Sequence, residues 1–157
     1  MRFFLAVIGL VSALILFMPK SNLYFKLQEI LKEKNIYINS DIKESVTLNL
    51  TDAVVYVNGM DVATFKSCKI YPFLFFNMLK LKDIVFLQHY KLNLKVVYSV
   101  IEPFNVVISG KSNFGTIKGK INILKRSGKI YIENITESEI KKILKKDNKG
   151  YYYYAKF

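Results

Sequence analysis

The residues that could do chemistry are few and far apart. His89 is the single histidine and Cys68 the single cysteine of the 157-residue chain. One of each cannot supply the ligand set that zinc takes, so no metal site is expected. Cys68 lies between Ser67 and Lys69 in a strand-like run, which suits a small packed side chain better than a reactive thiol. Alone, it permits no internal disulfide. His89 falls in a polar, turn-like stretch between Leu87 and Leu92, where a solvated loop histidine is the plain reading. A Ser-His-Asp or Cys-His arrangement stays open on sequence alone, because such partners meet in space. Asp41, Glu44, Asp52, Asp61 and Asp83 show no spacing that implies paired acid–base work. Phe114-Gly115 and Gly119 lack the following helix start that a phosphate-cradling loop needs. The expectation is a non-enzymatic protein with no catalytic residues and no cofactor.

Charge narrows the partners. Lys and Arg number 24 against 12 Asp and Glu, a net charge of +12. That excess suits nucleic acid, an anionic lipid surface, an acidic partner or simple solubility. Arg2 and Arg126 are the only arginines. Specific base or phosphate readout relies on the bidentate guanidinium fork, whereas lysine is a point charge suited to diffuse attraction. No nucleic-acid partner is expected. Tyr151, Tyr152, Tyr153 and Tyr154, between Lys149 and Lys156, could form a base-stacking platform. A last strand with tyrosines on both faces is the plainer reading.

The elements that must position these residues are mainly strands. Ser21 or Asn22 can cap a short helix in which Leu23, Leu27, Ile30 and Leu31 recur at helical spacing, over about residues 21–35. Either it packs beneath the domain or its apolar stripe lies on a membrane surface. From Ile36 the period becomes two, and residues 36–157 read as one antiparallel β domain. Asn58-Gly59 predicts a tight hairpin. Phe73 to Leu79 is apolar apart from Asn77 and reads as a buried strand, a short helix or a membrane-facing patch. Ser127-Gly128 reads as a turn, Thr136 to Glu139 as a capping box before a second short helix, and Tyr151 to Phe157 as a last strand. The fold class expected is mainly β, an antiparallel meander with two short helices.

A membrane anchor is expected over residues 1–20. Phe3 to Met18 carries no charge and includes Phe3, Leu5, Ile8, Leu10, Leu14, Leu16 and Phe17, with Arg2 before it and Lys20 after it. As a helix it spans about 24 Å against a hydrocarbon core of about 30 Å. Phe17-Met18-Pro19-Lys20 is a poor cleavage site, which favours an uncleaved signal anchor over a cleaved signal. Lys20, Lys26, Lys32 and Lys34 follow the span and place that flank inside by local count, although long domains translocate largely regardless of charge.

The order of these features resembles a known family. A short anchor precedes Pro19 to Tyr24 and the amphipathic helix. Then come Ala53 to Ala63, with its Asn58-Gly59 turn, Ile70-Tyr71-Pro72-Phe73-Leu74, Phe114 to Ile121 and the closing Gly150 to Tyr154 strand. This order resembles short members of the type II secretion system protein N family, within the wider group of AsmA-like envelope proteins. The resemblance implies a single-pass anchor in a bacterial inner membrane, a periplasmic C-terminal domain and a curved sheet. It also implies an accessory or scaffold role beside envelope protein partners, with no catalytic residues. In the wider group such sheets form hydrophobic grooves linked to lipid. Two roles are therefore expected to compete: docking into an envelope-spanning assembly, and binding or transfer of lipid in a β groove. Phe73, Phe75, Phe76 and Tyr151 to Tyr154 are the candidate contact surface for either.

Overall fold

A computed structural model describes Leu10, Ala13 and residues 19–73, 75–86 and 89–157. Apart from Leu10 and Ala13, the expected anchor Phe3 to Met18 lies outside the described residues. Among the described residues no helix is long and apolar enough to cross a membrane.

Helix α1 (Lys20–Lys32) comes first. Eight strands follow: β1 (Ile36–Glu44), β2 (Leu48–Val57), β3 (Met60–Pro72), β4 (Phe76–Phe86), β5 (Tyr90–Ser99), β6 (Asn105–Ser112), β7 (Gly115–Asn122) and β8 (Ser127–Glu133). Then come α2 (Ser138–Ile143), β9 (Lys145–Asp147) and β10 (Gly150–Lys156). The ten strands form one open antiparallel sheet in the order β1-β2-β3-β4-β5-β6-β7-β8-β10-β9. Asn58 and Gly59 take φ of 52° and 80°, the paired positive angles that a tight hairpin turn matching strand twist requires.

Strict alternation would put every second side chain on one face. Two residues at positive φ break it inside strands, and a further register shift falls between Val55 and Tyr56. Asp52 and Asp83 sit at φ of 49° and 53° beside register shifts. Each acts as a bulge residue, so Leu50 with Ala53, and Leu81 with Ile84, face the same core at a spacing of three. Asn93 holds the second bulge, its Oδ1 accepting from the Asp83 amide at 2.8 Å.

The core gathers under α1. Leu48 is fully buried, and Tyr24, Leu50, Ala53, Phe65 and Cys68 pack with it. Burial pushes the Cys68 thiol up to about 11, consistent with a packed side chain rather than a reactive one.

Helix α1 docks differently from the expected stripe. Leu27 and Ile30 are exposed, while Tyr24 is buried and Gln28 and Leu31 are half-buried. Polar contacts with the sheet edge override the leucine stripe. The Tyr24 hydroxyl donates to the Ile38 carbonyl at 2.8 Å, and Gln28 Nε2 donates to the same oxygen. Ile38 N in turn donates to Gln28 Oε1 at 3.2 Å. The Gln28 amide thus takes a neighbouring strand's place and blocks part of the β1 edge. Neither Ser21 nor Asn22 caps the helix. Glu44, at the end of β1, accepts from the Lys20 and Ser21 amides at 2.6 and 3.2 Å. Hydrogen bonds from the Ser21 side chain and the Lys20 amide hold its carboxyl below its ordinary range.

Two further expectations change. Ser127 and Gly128 belong to β8, and the turn falls earlier, with Arg126 at φ 45°. The Thr136 hydroxyl does not cap α2 but donates to the Asn113 carbonyl at 3.1 Å, tying two turns together. Strand β10 is the chain's last strand, as expected, and β9 pairs with its first half through Gly150, Tyr151 and Tyr152.

Candidate functional site

The register places two continuous rows of side chains across the sheet, one on each face. On one face, Ile42, Leu50, Cys68, Leu81, Leu94, Gly110, Ile117, Ile132 and Tyr151 pair strand by strand from β1 to β10. One residue along each strand, the opposite face carries Lys43, Asn49, Lys69, Lys80, Lys95, Ser109, Lys118, Tyr131, Tyr152 and Lys145. The sheet is therefore apolar on one side and lysine-rich on the other.

The apolar side holds a cavity of about 680 Å³. Strands β4 and β5 supply Ile84, Phe86, Tyr90, Leu92 and Leu94; β8 and β10 supply Ile130, Ile132 and Tyr153. Helix α2 and its following residue close one side with Ile140, Ile143 and Leu144, and Phe114 enters from the β6–β7 turn. Strands β4 and β10 are five neighbours apart in the sheet, about 24 Å if it were flat, yet both line this cavity. No lining residue carries a charge, and the only lining side chains with a polar atom are Tyr90 and Tyr153. Ile140 is buried, whereas Ile143 is exposed beside Lys141 and Lys142, so α2 walls the cavity and leaves a mouth. The volume lies within the roughly 300–1,000 Å³ of small-molecule pockets.

Glycines set how closely the intervening strands approach. Gly110 on β6 pairs with Ile117, and Gly119 on β7 pairs with Ile108 and Ile130. A Cβ at Gly110 would lie 2.4 Å from the Asn93 carbonyl oxygen and 2.7 Å from Leu94 Cδ2. Leu94 leans into the space that Gly110 leaves and Ile130 into that at Gly119.

On the opposite face, Lys69, Lys80 and Lys95 stand directly opposite one another on β3, β4 and β5. Among the described residues, salt bridges link Lys118 with Glu133 and Lys120 with Glu102, each at 2.8 Å. None reaches Lys69, Lys80 or Lys95; Lys80 instead lies 5.4 Å from the Tyr71 ring centroid. A hollow of about 450 Å³ beside Lys80 and Lys95 is lined by those two with Lys82, Lys111 and Lys118, and also by uncharged residues that include Asn93, Ser109 and Thr116. Like charges directly across a pair destabilise a sheet by a few tenths of a kcal/mol each. We expect Lys80→Glu, facing Lys69 and Lys95, to stabilise the chain by about 0.5 kcal/mol, because two attractive pairs outweigh one lost cation–π contact. Urea titrations at low and high salt check this, with the gain shrinking in high salt.

At the β9 edge, Lys129 Nζ meets Asp147 Oδ2 at 2.5 Å and lies 3.9 Å from the Tyr152 ring centroid. The Tyr131 hydroxyl also donates to Asp147, at 3.0 Å. The hydrogen bond from Lys129 holds the Asp147 carboxyl below its ordinary range, and that carboxylate in turn raises the Lys129 ammonium. This cluster pins the short β9 across β10 to β8.

The predicted contact residues separate. Tyr151 and Tyr153 lie on the apolar face, Tyr152 and Tyr154 on the lysine face, as a strand with tyrosines on both sides requires. Tyr153 alone of the tract lines the cavity. Phe73, Phe75 and Phe76 lie at the β3–β4 turn; the Phe73 and Phe76 rings are 4.8 Å apart and Phe75 is exposed. They are not brought to the tyrosines. Sequence reasoning missed Ile84, Phe86, Leu92, Ile130 and Ile132 as one surface, and the lysine row altogether. Each strand's alternation carried part of that signal.

In class, this is a single antiparallel sheet with an apolar cavity on one face and a cationic row on the other. Searches of protein-family models, curated proteins and solved structures find no match to the chain.

Proposed function

We propose that this chain is a non-enzymatic, lipid-binding module tethered to a bacterial inner membrane by Phe3 to Met18, with its β domain in the periplasm. The cavity carries this reading. A charge-free lining suits an acyl chain, and each methylene it buries contributes about 0.8 kcal/mol. Ten buried methylenes would contribute roughly 8 kcal/mol before ordering costs. In this reading the sheet curves around the chain, α2 covers one side, and Lys141 and Lys142 face the anionic head group at the mouth. The lysine row attracts the same anionic surfaces at longer range. The resemblance to AsmA-like envelope proteins agrees with this assignment.

Lipid extracted from the purified full-length chain and identified by mass spectrometry tests it, compared with Leu92→Trp, which fills the cavity. The native chain should carry about one lipid, and the variant at least about tenfold less at unchanged secondary structure. Equal lipid in both would place the lipid on the N-terminal segment and sink the cavity reading.

A second reading is docking into an envelope-spanning, secretion-like assembly. One observation favours it: β9 covers only the first half of β10, so Tyr153 to Lys156 pair with β8 alone. A partner strand could add there.

A further inference from the structure

The two ends of the sheet differ in a way that neither the cavity nor the lysine row explains. In a meander, alternate turns share an end. One end turns on Asn58-Gly59, Asn113, Asn134 and Asn148, polar residues suited to tight turns in water, with Met60 and Phe86 the exposed large apolar residues beside them. The other carries the β1–β2, β3–β4, β5–β6 and β7–β8 turns and the C-terminus. Its tips are apolar: Val46, Phe75, Ile101, Phe104, Leu124 and Phe157 are all exposed, Ile101 at 88%, Phe75 at 69% and Leu124 at 68%.

These tips form one rim. Val100 N donates to the Phe75 carbonyl at 3.0 Å, Ile123 N to the Phe104 carbonyl at 2.9 Å, and Phe157 N to the Arg126 carbonyl at 2.9 Å. The β3–β4, β5–β6 and β7–β8 turns and the C-terminus are thereby tied in series, while the β1–β2 turn with Val46 closes on itself through Ser45 N to the Thr47 carbonyl. A contiguous exposed apolar patch of this kind marks an interaction site.

Two observations identify the occupant. The first is where the chain enters. The Lys20 amide is held by Glu44 at the end of β1, beside Val46 on this rim. The uncharged run Phe3 to Met18 is joined to Lys20 by Pro19 alone, so the chain leaves it for the domain at the apolar end. The second is charge. Lys125 and Arg126 follow Leu124 directly, and Lys156 precedes Phe157. The one acidic residue beside Ile101, Glu102, is engaged by Lys120 at 2.8 Å. Apolar tips backed by cations match a bilayer interface, where the tips enter the acyl boundary and the cations meet anionic phosphates.

We infer that this rim docks onto the surface of a phospholipid bilayer, standing the sheet with its strands directed away from the membrane. The inference stands apart from what the cavity binds. It predicts that Ile101 and Leu124 enter the lipid while Met60, at the Asn58-Gly59 end and 66% exposed, stays in water.

The chain has no tryptophan, so single replacements report without background. Full-length Ile101→Trp, Leu124→Trp and Met60→Trp would each be reconstituted in vesicles of brominated phosphatidylcholine with phosphatidylglycerol. All three positions are solvent-exposed, which keeps the fold out of the comparison. Tryptophan at 101 and at 124 should emit at shorter wavelength and lose about half of its intensity to the bromines, as expected for burial at the headgroup–acyl boundary. Tryptophan at 60 should be unquenched. If positions 101 and 124 match position 60 while the chain still floats with the vesicles, the rim inference fails and the anchor survives. If the chain does not float, both fail. A blue shift at 101 without quenching would assign the rim to a protein partner and overturn the inference.

Discussion

Gly110→Val is expected to destabilise the chain by about 3 kcal/mol or more, because overpacking against backbone cannot relax by a rotamer change. A Cβ at this position would sit 2.4 Å from the Asn93 carbonyl oxygen, and valine adds two methyls beyond it. Valine's strand preference recovers no more than about 1 kcal/mol. The only relief is to move β5 from β6, which displaces Leu94 from the cavity wall and loosens Asn93, the residue that holds the Asp83 bulge. Gly119→Ala is the contrast. Its nearest neighbours are Ile130 Cγ1 at 3.0 Å and the Ile130 Cα and Lys129 carbonyl oxygen at 3.3 Å, which need give by only a few tenths of an ångström, so a cost of about 1 kcal/mol is expected. Urea denaturation of both full-length variants, followed by circular dichroism, measures the difference. Equal midpoints would show that strand approach at Gly110 is not what constrains this part of the sheet.

Leu48→Ala is expected to cost about 3 kcal/mol, the sum of lost transfer energy and the cavity left behind. Leu48 is fully buried beneath α1 and pairs with Ile70 and Glu44. The space it vacates cannot easily refill, because the α1 contacts at Ile38 and Glu44 hold the helix in place. Ile143→Ala, at 72% exposure, should change stability by no more than about 0.5 kcal/mol while widening the mouth of the cavity. If hydrogen exchange showed α1 as protected in Leu48→Ala as in the native chain, and the midpoint were unmoved, the packing beneath α1 would carry less than this burial implies.

Much of the architecture was legible in sequence because it depends on local pattern. Period-two alternation marked most strands, and Asn58-Gly59 marked a hairpin, since only residues tolerant of positive φ fit that turn. The failures share a cause: a long-range partner outcompeted the local signal. Glu44 capped α1 in place of Ser21 or Asn22. Tyr24 and Gln28 won the docked face from Leu27 and Ile30, because an open strand edge offers strong hydrogen-bonding groups. Thr136 bonded to Asn113 rather than to its own helix. Short β9, only Lys145–Asp147, has too few residues to show a period and exists because Lys129 and Tyr131 hold Asp147.

The candidate site divides along the same line. By itself the sequence determined a β-rich chain, an uncharged N-terminal run, a large lysine excess, and a scarcity of groups for metal or nucleophilic chemistry. Tertiary structure alone decided which of those residues meet. A one-residue change of register would send every side chain of a strand to the other face. The registers, set by hairpin lengths and by the bulges at Asp52 and Asp83, align Lys69, Lys80 and Lys95 into one row and Leu81, Leu94 and Ile132 into the opposite one. Likewise, Phe75, Ile101 and Leu124 lie in three separate stretches of the sequence. Only the meander, by returning alternate turns to the same end, makes them a rim.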